Sequence, residues 1–163
     1  MRNFLTVLAV TALTACTTAT PPEPQKEWPQ MAYAGFTEKI NRLAGSDAVN
    51  CGLIDQVKGG SKTEIQNQLW AAQKCVNTAI SSGTPFKVGS FRLASTSYLY
   101  EVVTLGNNGE YWVVLFDRAM DGSENMHFVK RCTSLKANIL NANYSGDCTD
   151  VPTDVWLADI VSQ

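Results

Sequence analysis

The hydrophobic periodicity of the chain changes at Gly83 and Pro85, and this change limits the fold more than any other feature. Before it, residues 61–82 carry apolar side chains every three to four positions, the pattern of an amphipathic helix. After it, apolar residues alternate in short segments rich in β-branched and aromatic side chains, which predicts strands. The predicted strands cover residues 86–94, 98–105, 110–118 and 126–132. A helix followed by a run of strands indicates an α+β fold.

The ends of the long helix are marked in the sequence. Ser61 and Glu64 have the spacing of a capping box, in which each side chain satisfies a backbone N–H of the other residue. Gly83 is suited to the position after the last helical residue, and Pro85 prevents the helix from continuing. We therefore predict a helix that ends at residue 82.

Shorter elements flank this helix. Phe36, Ile40 and Leu43 have helical spacing and predict a short helix that ends near Gly45. Residues 50–54 read as a brief extended piece, and residues 133–148 as a loop. The apolar segment 151–161 is compatible with either a final helix or an edge strand.

The N-terminus has the pattern of a secretory signal. Arg2 precedes a hydrophobic run over residues 4–15, which is too short to span a bilayer. The run ends in Leu13-Thr14-Ala15-Cys16, which resembles the lipobox of bacterial lipoproteins. The resemblance implies that residues 1–15 are removed and that Cys16 is lipidated, becoming the mature N-terminus.

The lipobox resemblance also implies a location. The segment 16–27 is rich in Pro and Thr and reads as a disordered tether with a reach of about 35 Å. Thr17 stands where inner-membrane lipoproteins of enteric bacteria resemble one another in having Asp. This favours the outer membrane, facing the periplasm, over the inner membrane. Residues 28–163 then form a single domain, whose length is ordinary for one.

Four cysteines remain in the predicted mature domain: Cys51, Cys75, Cys132 and Cys148. In an oxidising compartment an even number of cysteines favours disulfides, and their spacing lacks the close pairs of a zinc site. Four cysteines allow three pairings, among which the sequence does not choose. We favour Cys51–Cys75 and Cys132–Cys148 because each pair joins neighbours along the chain. The predicted fold is one long helix packed on a four-stranded antiparallel meander and stapled by two disulfides. This order of elements is similar to cystatin-like folds, although no cystatin inhibitory motif is present.

Tyrosines give the predicted sheet its main candidate surface. If Asn108-Gly109 forms a two-residue hairpin loop, Leu105 faces Trp112. In that register one face carries the candidate partner-binding residues Tyr98, Tyr100 and Tyr111. Tyrosine is enriched at protein interfaces, so this face is a candidate partner-binding surface. The alternative, which we favour from the sequence, is that the C-terminal segment, with Trp156, covers this face.

Catalytic and metal-binding patterns are weak. His127 is the single histidine and is expected at an exposed strand position, where a catalytic triad is improbable. Glu101 and Asp117 fall on opposite faces in the register above, which excludes a carboxylate pair. Residues 121–125 begin like a calcium loop, but Met126 stands where that loop requires Gly. We therefore predict no catalytic residue, no metal site and no cofactor.

These observations favour a non-enzymatic binding protein. The net charge of −2 argues against nucleic acid as a partner. The predicted partners are the membrane, through the N-terminal lipid anchor, and an envelope protein or other envelope component. The alternative function is a small periplasmic hydrolase or an enzyme inhibitor.

Overall fold

The computed structural model describes residues 35–58, 60–121 and 125–161, and side chains up to residue 158. The helices are α1 (Phe36–Ala44), α2 (Lys62–Ser82) and α3 (Thr153–Val161). The strands are β1 (Val49–Asp55), β2 (Phe86–Leu93), β3 (Ser97–Leu105), β4 (Tyr111–Ala119), β5 (Met126–Cys132), β6 (Lys136–Asn138), β7 (Asn143–Ser145) and β8 (Cys148–Val151). A 3₁₀ turn at Ile139–Asn141 lies between β6 and β7. None of the helices in this part of the chain is long and apolar enough to cross a membrane.

The predicted four-stranded meander on one long helix is wrong. The main sheet has six strands in the order β1-β2-β3-β4-β5-β8, and it is mixed because β1 runs parallel to β2. The remaining neighbours in this sheet are antiparallel, and β6 pairs with β7 in a separate two-stranded sheet. α2 makes the crossover that a parallel β1–β2 pair requires.

The two extra strands occupy the edges of the sheet and have weak sequence signals. In β1 the register to β2 shifts between Asn50 and Leu53, and Gly52 has a φ of 104°. The Asn50 side chain accepts a hydrogen bond from the Gly52 N–H at 3.0 Å. β8 has only four residues, so it carries no alternation that a sequence pattern could detect.

Helices cover both faces of the sheet. α2 packs on one face, which we call the α2 face, in a core cluster that includes Val76, Val88 and Val103. α1 and α3 pack on the opposite face, the α1–α3 face, in a second cluster that includes Phe36, Val114 and Trp156. Each face of the sheet carries apolar side chains that must be buried. One helix can cover only one face, so it is not sufficient for this sheet.

Because helices cover both faces of the sheet, β2 carries apolar side chains on both of its faces. Phe86 and Val88 are buried on the α2 face, whereas Phe91 lies beside Tyr100 on the opposite face. β2 pairs with β3 over its full length without a register shift, so β2 has no bulge against β3 at Gly89.

The predicted boundaries of α2 are confirmed. The Ser61 N–H donates to Glu64 Oε2 at 2.6 Å, and the Glu64 N–H donates to Ser61 Oγ at 3.3 Å. Gly83 follows the helix with a φ of 64°, a left-handed conformation that favours glycine.

Both predicted disulfide pairings are confirmed, and each bond ties an edge strand to the rest of the domain. Cys51–Cys75 joins β1 to α2 across a separation of 24 residues. Cys132–Cys148 joins β5 to β8 across a separation of 16 residues.

The predicted loop over residues 133–148 contains the small β6–β7 hairpin, which packs on the α2 face. Leu135 and Ile139 belong to the core cluster there. Gln73 of α2 accepts from the Ile139 N–H at 2.7 Å and donates to the Ala137 carbonyl at 3.1 Å. The hairpin therefore extends the cover that α2 provides.

The loop between β3 and β4 has one residue more than predicted. The Gly106 N–H donates to the Glu110 carbonyl at 2.9 Å, and Gly109 has a φ of 78°. This is the geometry of a three-residue hairpin loop with Gly in the left-handed position. Leu105 pairs with Tyr111 and not with Trp112, so the register differs by one residue from the predicted one. A shift of one residue moves every side chain of β4 to the other face.

Candidate functional site

An aromatic row crosses four strands on the α1–α3 face. The register places Phe91 opposite Tyr100, Tyr100 opposite Phe116, and Phe116 opposite His127. The rings of Tyr100 and Phe116 have centroids 5.9 Å apart, and those of Phe116 and His127 are 4.6 Å apart. Directly opposed side chains are neighbours on a sheet face, so the row is continuous from β2 to β5.

One end of this row remains accessible. The aromatic surface, as we name it, consists of Phe91, Tyr98 and Tyr100. The Phe91 ring stacks on Tyr100 with centroids 4.4 Å apart, and on Tyr98 at 5.7 Å. All three side chains are half-buried, and Leu93 beside them is 57% exposed.

The cover of the α1–α3 face explains why this end is open. Trp156 of α3 is buried against the Trp112 ring, with centroids 6.1 Å apart. Tyr100 packs against the margin of that core cluster, whereas Tyr98 is not part of it. The C-terminal helix therefore covers the part of the sheet around Trp112 and leaves Tyr98 accessible.

A cavity of about 330 Å³ adjoins the aromatic surface. It is lined by Phe91, Tyr98, Tyr100, Arg118, Ala119 and Met120. Arg118 lies opposite Tyr98 in the register, and its side chain lines the same cavity as Tyr100. Burial raises the pKa of Tyr100, while the positive charge of Arg118 acts in the opposite direction. Tyr100 therefore keeps its phenolic proton at neutral pH.

Four lining residues of this site were not found from the sequence: Phe91, Arg118, Ala119 and Met120. Phe91 could have been found, because its phase in β2 places it with Tyr100 once β2 and β3 are paired. Arg118 and Met120 join the site only through the register of β4, which the predicted two-residue loop placed incorrectly.

Tyr111 does not share a face with Tyr98 and Tyr100, contrary to the prediction. It pairs with Leu105 and packs against the core of the α2 face. The cause is the additional loop residue between β3 and β4. Tyr111 is therefore not part of the aromatic surface.

His127 is half-buried, whereas the sequence indicated an exposed position. Its ring packs against Phe116 at the β5 end of the aromatic row. Burial lowers the pKa of His127, so the ring is neutral at neutral pH. A histidine packed in an aromatic row is typical of a structural position.

Glu101 forms a buried polar cluster on the α2 face with Arg92 and Tyr144. Glu101 is only 6% exposed, and its Oε2 lies 3.9 Å from Arg92 Nη2. Tyr144 from β7 is close enough to Glu101 to affect the pKa of its carboxyl group. The register places Asp117 on the same face, two residues beyond the residue that pairs with Glu101. The predicted placement of Glu101 and Asp117 on opposite faces is therefore wrong.

The pKa of Glu101 is raised by burial, which outweighs the opposing influence of Arg92 and of Tyr144. A carboxyl group with a higher pKa in the folded than in the unfolded chain binds protons more tightly when folded. Stability therefore rises as pH falls through the folded pKa, and the ionised carboxylate is destabilising at neutral pH. We expect Glu101→Gln to raise the urea midpoint at neutral pH, with a smaller gain as pH falls toward about 4.

Glu38→Gln is the matched control for this titration, because Glu38 is an exposed carboxylate in the first turn of α1. It should not reproduce the gain. A Glu101→Gln protein that is less stable than wild type at neutral pH would show that Arg92 outweighs the burial of the carboxylate.

Two other cavities do not combine several aromatic side chains with a charged group in the way that the cavity beside the aromatic surface does. One of about 400 Å³ lies between α2 and Val49 and is lined mainly by small and hydroxyl side chains, with Lys74 its charged residue. The other, of about 270 Å³, adjoins Trp112, and its Glu110 and Asn108 side chains bond to each other at 2.9 Å. In the described parts of the chain, no cluster of three or more His, Cys, Asp or Glu side chains could hold a metal ion.

The predicted lipidation site, Cys16, and the tether 16–27 lie outside the described residues. So do residues 122–124 of the segment that begins like a calcium loop. Comparisons with protein families, with curated proteins and with solved structures found no match to this chain.

Proposed function

We propose that this chain is a lipid-anchored periplasmic protein of the outer membrane that binds an envelope protein through its aromatic surface. The observation that carries the proposal is the accessible end of the aromatic row, where Phe91, Tyr98 and Tyr100 adjoin a cavity. Aromatic side chains beside an accessible cavity are typical of interface anchors. The lipobox resemblance at Cys16 supports the anchor, and the tether supports a domain held away from the membrane.

The arrangement of the rings favours a protein over a sugar as the partner. Phe91 stacks on both tyrosines with interplanar angles of 21° and 28°. A ring face that stacks on another ring is not available to a partner, whereas ring edges and tyrosine hydroxyl groups can make further contacts. A protein surface can meet edges and hydroxyl groups with apolar side chains and hydrogen bonds, whereas a sugar ring stacks on an open aromatic face.

Photocrosslinking in intact envelopes tests this proposal. A photoreactive residue at position 93, beside Tyr98, should give a discrete adduct with one envelope protein. Tyr98→Ala with Tyr100→Ala should weaken that capture by about tenfold or more, since loss of one interface anchor costs about 2 kcal/mol. Tyr100→Phe removes only the hydroxyl group and keeps the ring packed against the core, so it is the control for loss of packing.

A photoreactive residue at position 70 is the positional control. Trp70 is 58% exposed on α2, which lies over the other face of the sheet. It should give no adduct with the same protein. Cys16→Ser should leave the protein unprocessed and without acyl mass, which intact-mass analysis measures against the wild type. An adduct from position 93 that survives both tyrosine substitutions would contradict the proposed surface.

A further inference from the structure

The cavity beside the aromatic surface has a single charged group in its lining. Arg118 is that group, and the other lining residues are aromatic or apolar: Phe91, Tyr98, Tyr100, Ala119 and Met120. Arg118 is exposed and lines the cavity beside Tyr100, and its positive charge opposes the rise that burial causes in the pKa of that phenol. No carboxylate of the described residues forms an ion pair with Arg118. The cavity therefore combines aromatic and apolar side chains with one positive charge and with tyrosine hydroxyl groups.

Arg118 and Tyr100 place two kinds of hydrogen-bond donor in the lining of the cavity. An arginine side chain has only donors, and a protonated tyrosine can donate its phenolic O–H. A guanidinium binds a carboxylate with particularly good geometry.

Asp55 carries a negative charge near the cavity, but its carboxylate is hydrogen-bonded within its own turn. Asp55 is close enough to Tyr100 to raise its pKa. Its carboxylate accepts hydrogen bonds from the backbone N–H groups of Val57 and Lys58, at 3.0 and 2.8 Å. Asp55 therefore caps the turn after β1 and leaves Arg118 as the charged group of the cavity.

We infer that this cavity binds a carboxylate that adjoins an apolar side chain in a segment of the partner protein. Arg118 and the Tyr100 hydroxyl donate to the carboxylate, and the apolar neighbour packs against Tyr98 and Met120. A volume of about 330 Å³ lies in the range of pockets that accept small groups. The inference rests on the proposed function, since it names the chemistry that the same surface recognises.

The test uses a matched pair of probes on the full chain carrying Cys16→Ser. 3-Phenylpropionate has an aromatic ring and a carboxylate, and 3-phenylpropionamide is its neutral counterpart. In an NMR titration at millimolar concentration, the acid should shift the resonances of Tyr98 and Tyr100 saturably. The amide should bind about tenfold more weakly, because it lacks the charge-assisted hydrogen bonds.

Variants at Arg118 test whether its guanidinium group is responsible for the preference for the acid over the amide. Arg118→Gln should remove the preference for the acid, and Arg118→Lys should retain part of it because the charge remains. Arg131→Gln is the matched control, since Arg131 is an exposed strand arginine outside the cavity, 4.0 Å from Glu110. It should leave the preference unchanged.

Equal binding of acid and amide, or a preference that survives Arg118→Gln, would overturn the inference. Binding of inorganic phosphate at the same residues would indicate a phosphate group and would also overturn it. The proposed function has a separate test. It is contradicted if Tyr98→Ala with Tyr100→Ala leaves capture of the envelope protein intact. Capture that depends on Tyr98 but not on Arg118 would therefore keep the proposed function and reject the carboxylate.

Discussion

Trp156→Ala is expected to lower the free energy of unfolding by about 3–5 kcal/mol, the usual cost of truncating a large buried aromatic residue to alanine. Trp156 is only 1% exposed and fills the space between α3 and the sheet beside Trp112. Lys39 of α1 donates from Nζ to the Trp156 carbonyl, and its ammonium lies 4.0 Å from the centre of the Trp156 ring. The substitution thus removes a core side chain and the contact between the Lys39 ammonium and the indole ring, while the backbone carbonyl that Lys39 bonds remains.

Urea unfolding followed by far-UV circular dichroism measures this loss, and Trp70→Ala is the control. Both variants lose one tryptophan, but Trp70 is 58% exposed and its removal should change stability by no more than about 0.5 kcal/mol. A Trp156→Ala protein that is as stable as the Trp70→Ala protein would mean that α3 does not cover the sheet.

Removal of the Cys51–Cys75 disulfide, by Cys51→Ser with Cys75→Ser, is expected to cost roughly 3 kcal/mol. The bond closes a long loop, and the chain-entropy model assigns about this much to a loop of such length. The loss should be local as well as global, because the bond holds edge strand β1 to α2. Hydrogen exchange should therefore accelerate in β1 more than in β5.

The second disulfide provides the matched comparison. Cys132→Ser with Cys148→Ser should give a loss of similar size, but with faster exchange in β8 and little change in β1. The same exchange pattern from both double variants would contradict the view that each bond secures its own edge of the sheet. Wild-type stability in either double variant would show that the corresponding bond does not contribute.

The local elements could be read from the sequence because their determinants are close together along the chain. The capping box of Ser61 and Glu64, with Gly83 after the last turn, marks both ends of α2. The favoured pairings, Cys51–Cys75 and Cys132–Cys148, also join neighbouring elements, so a rule based on sequence proximity was sufficient for them.

The candidate site depended on one residue of loop length. Asn108-Gly109 correctly indicates a hairpin, but Gly109 occupies the third position of a three-residue loop. Both loop lengths are compatible with this sequence, since Gly suits either turn. The difference separates Tyr111 from Tyr98 and brings Arg118 beside Tyr98.

By itself, the sequence determined where α2 begins and ends, which segments of the chain form the central strands, and that neighbouring cysteines could be joined. These properties follow from interactions over a few residues or between adjacent elements. Only the tertiary structure decided that β1 pairs in parallel with β2, that β8 extends the sheet, and that helices cover both faces. The physical reason is that short apolar segments such as β1 do not specify which distant strand they pair with or how many of their faces are buried. That choice depends on the packing of α1, α2 and α3 against the completed sheet, and it leaves Tyr98 and Arg118 accessible at one end.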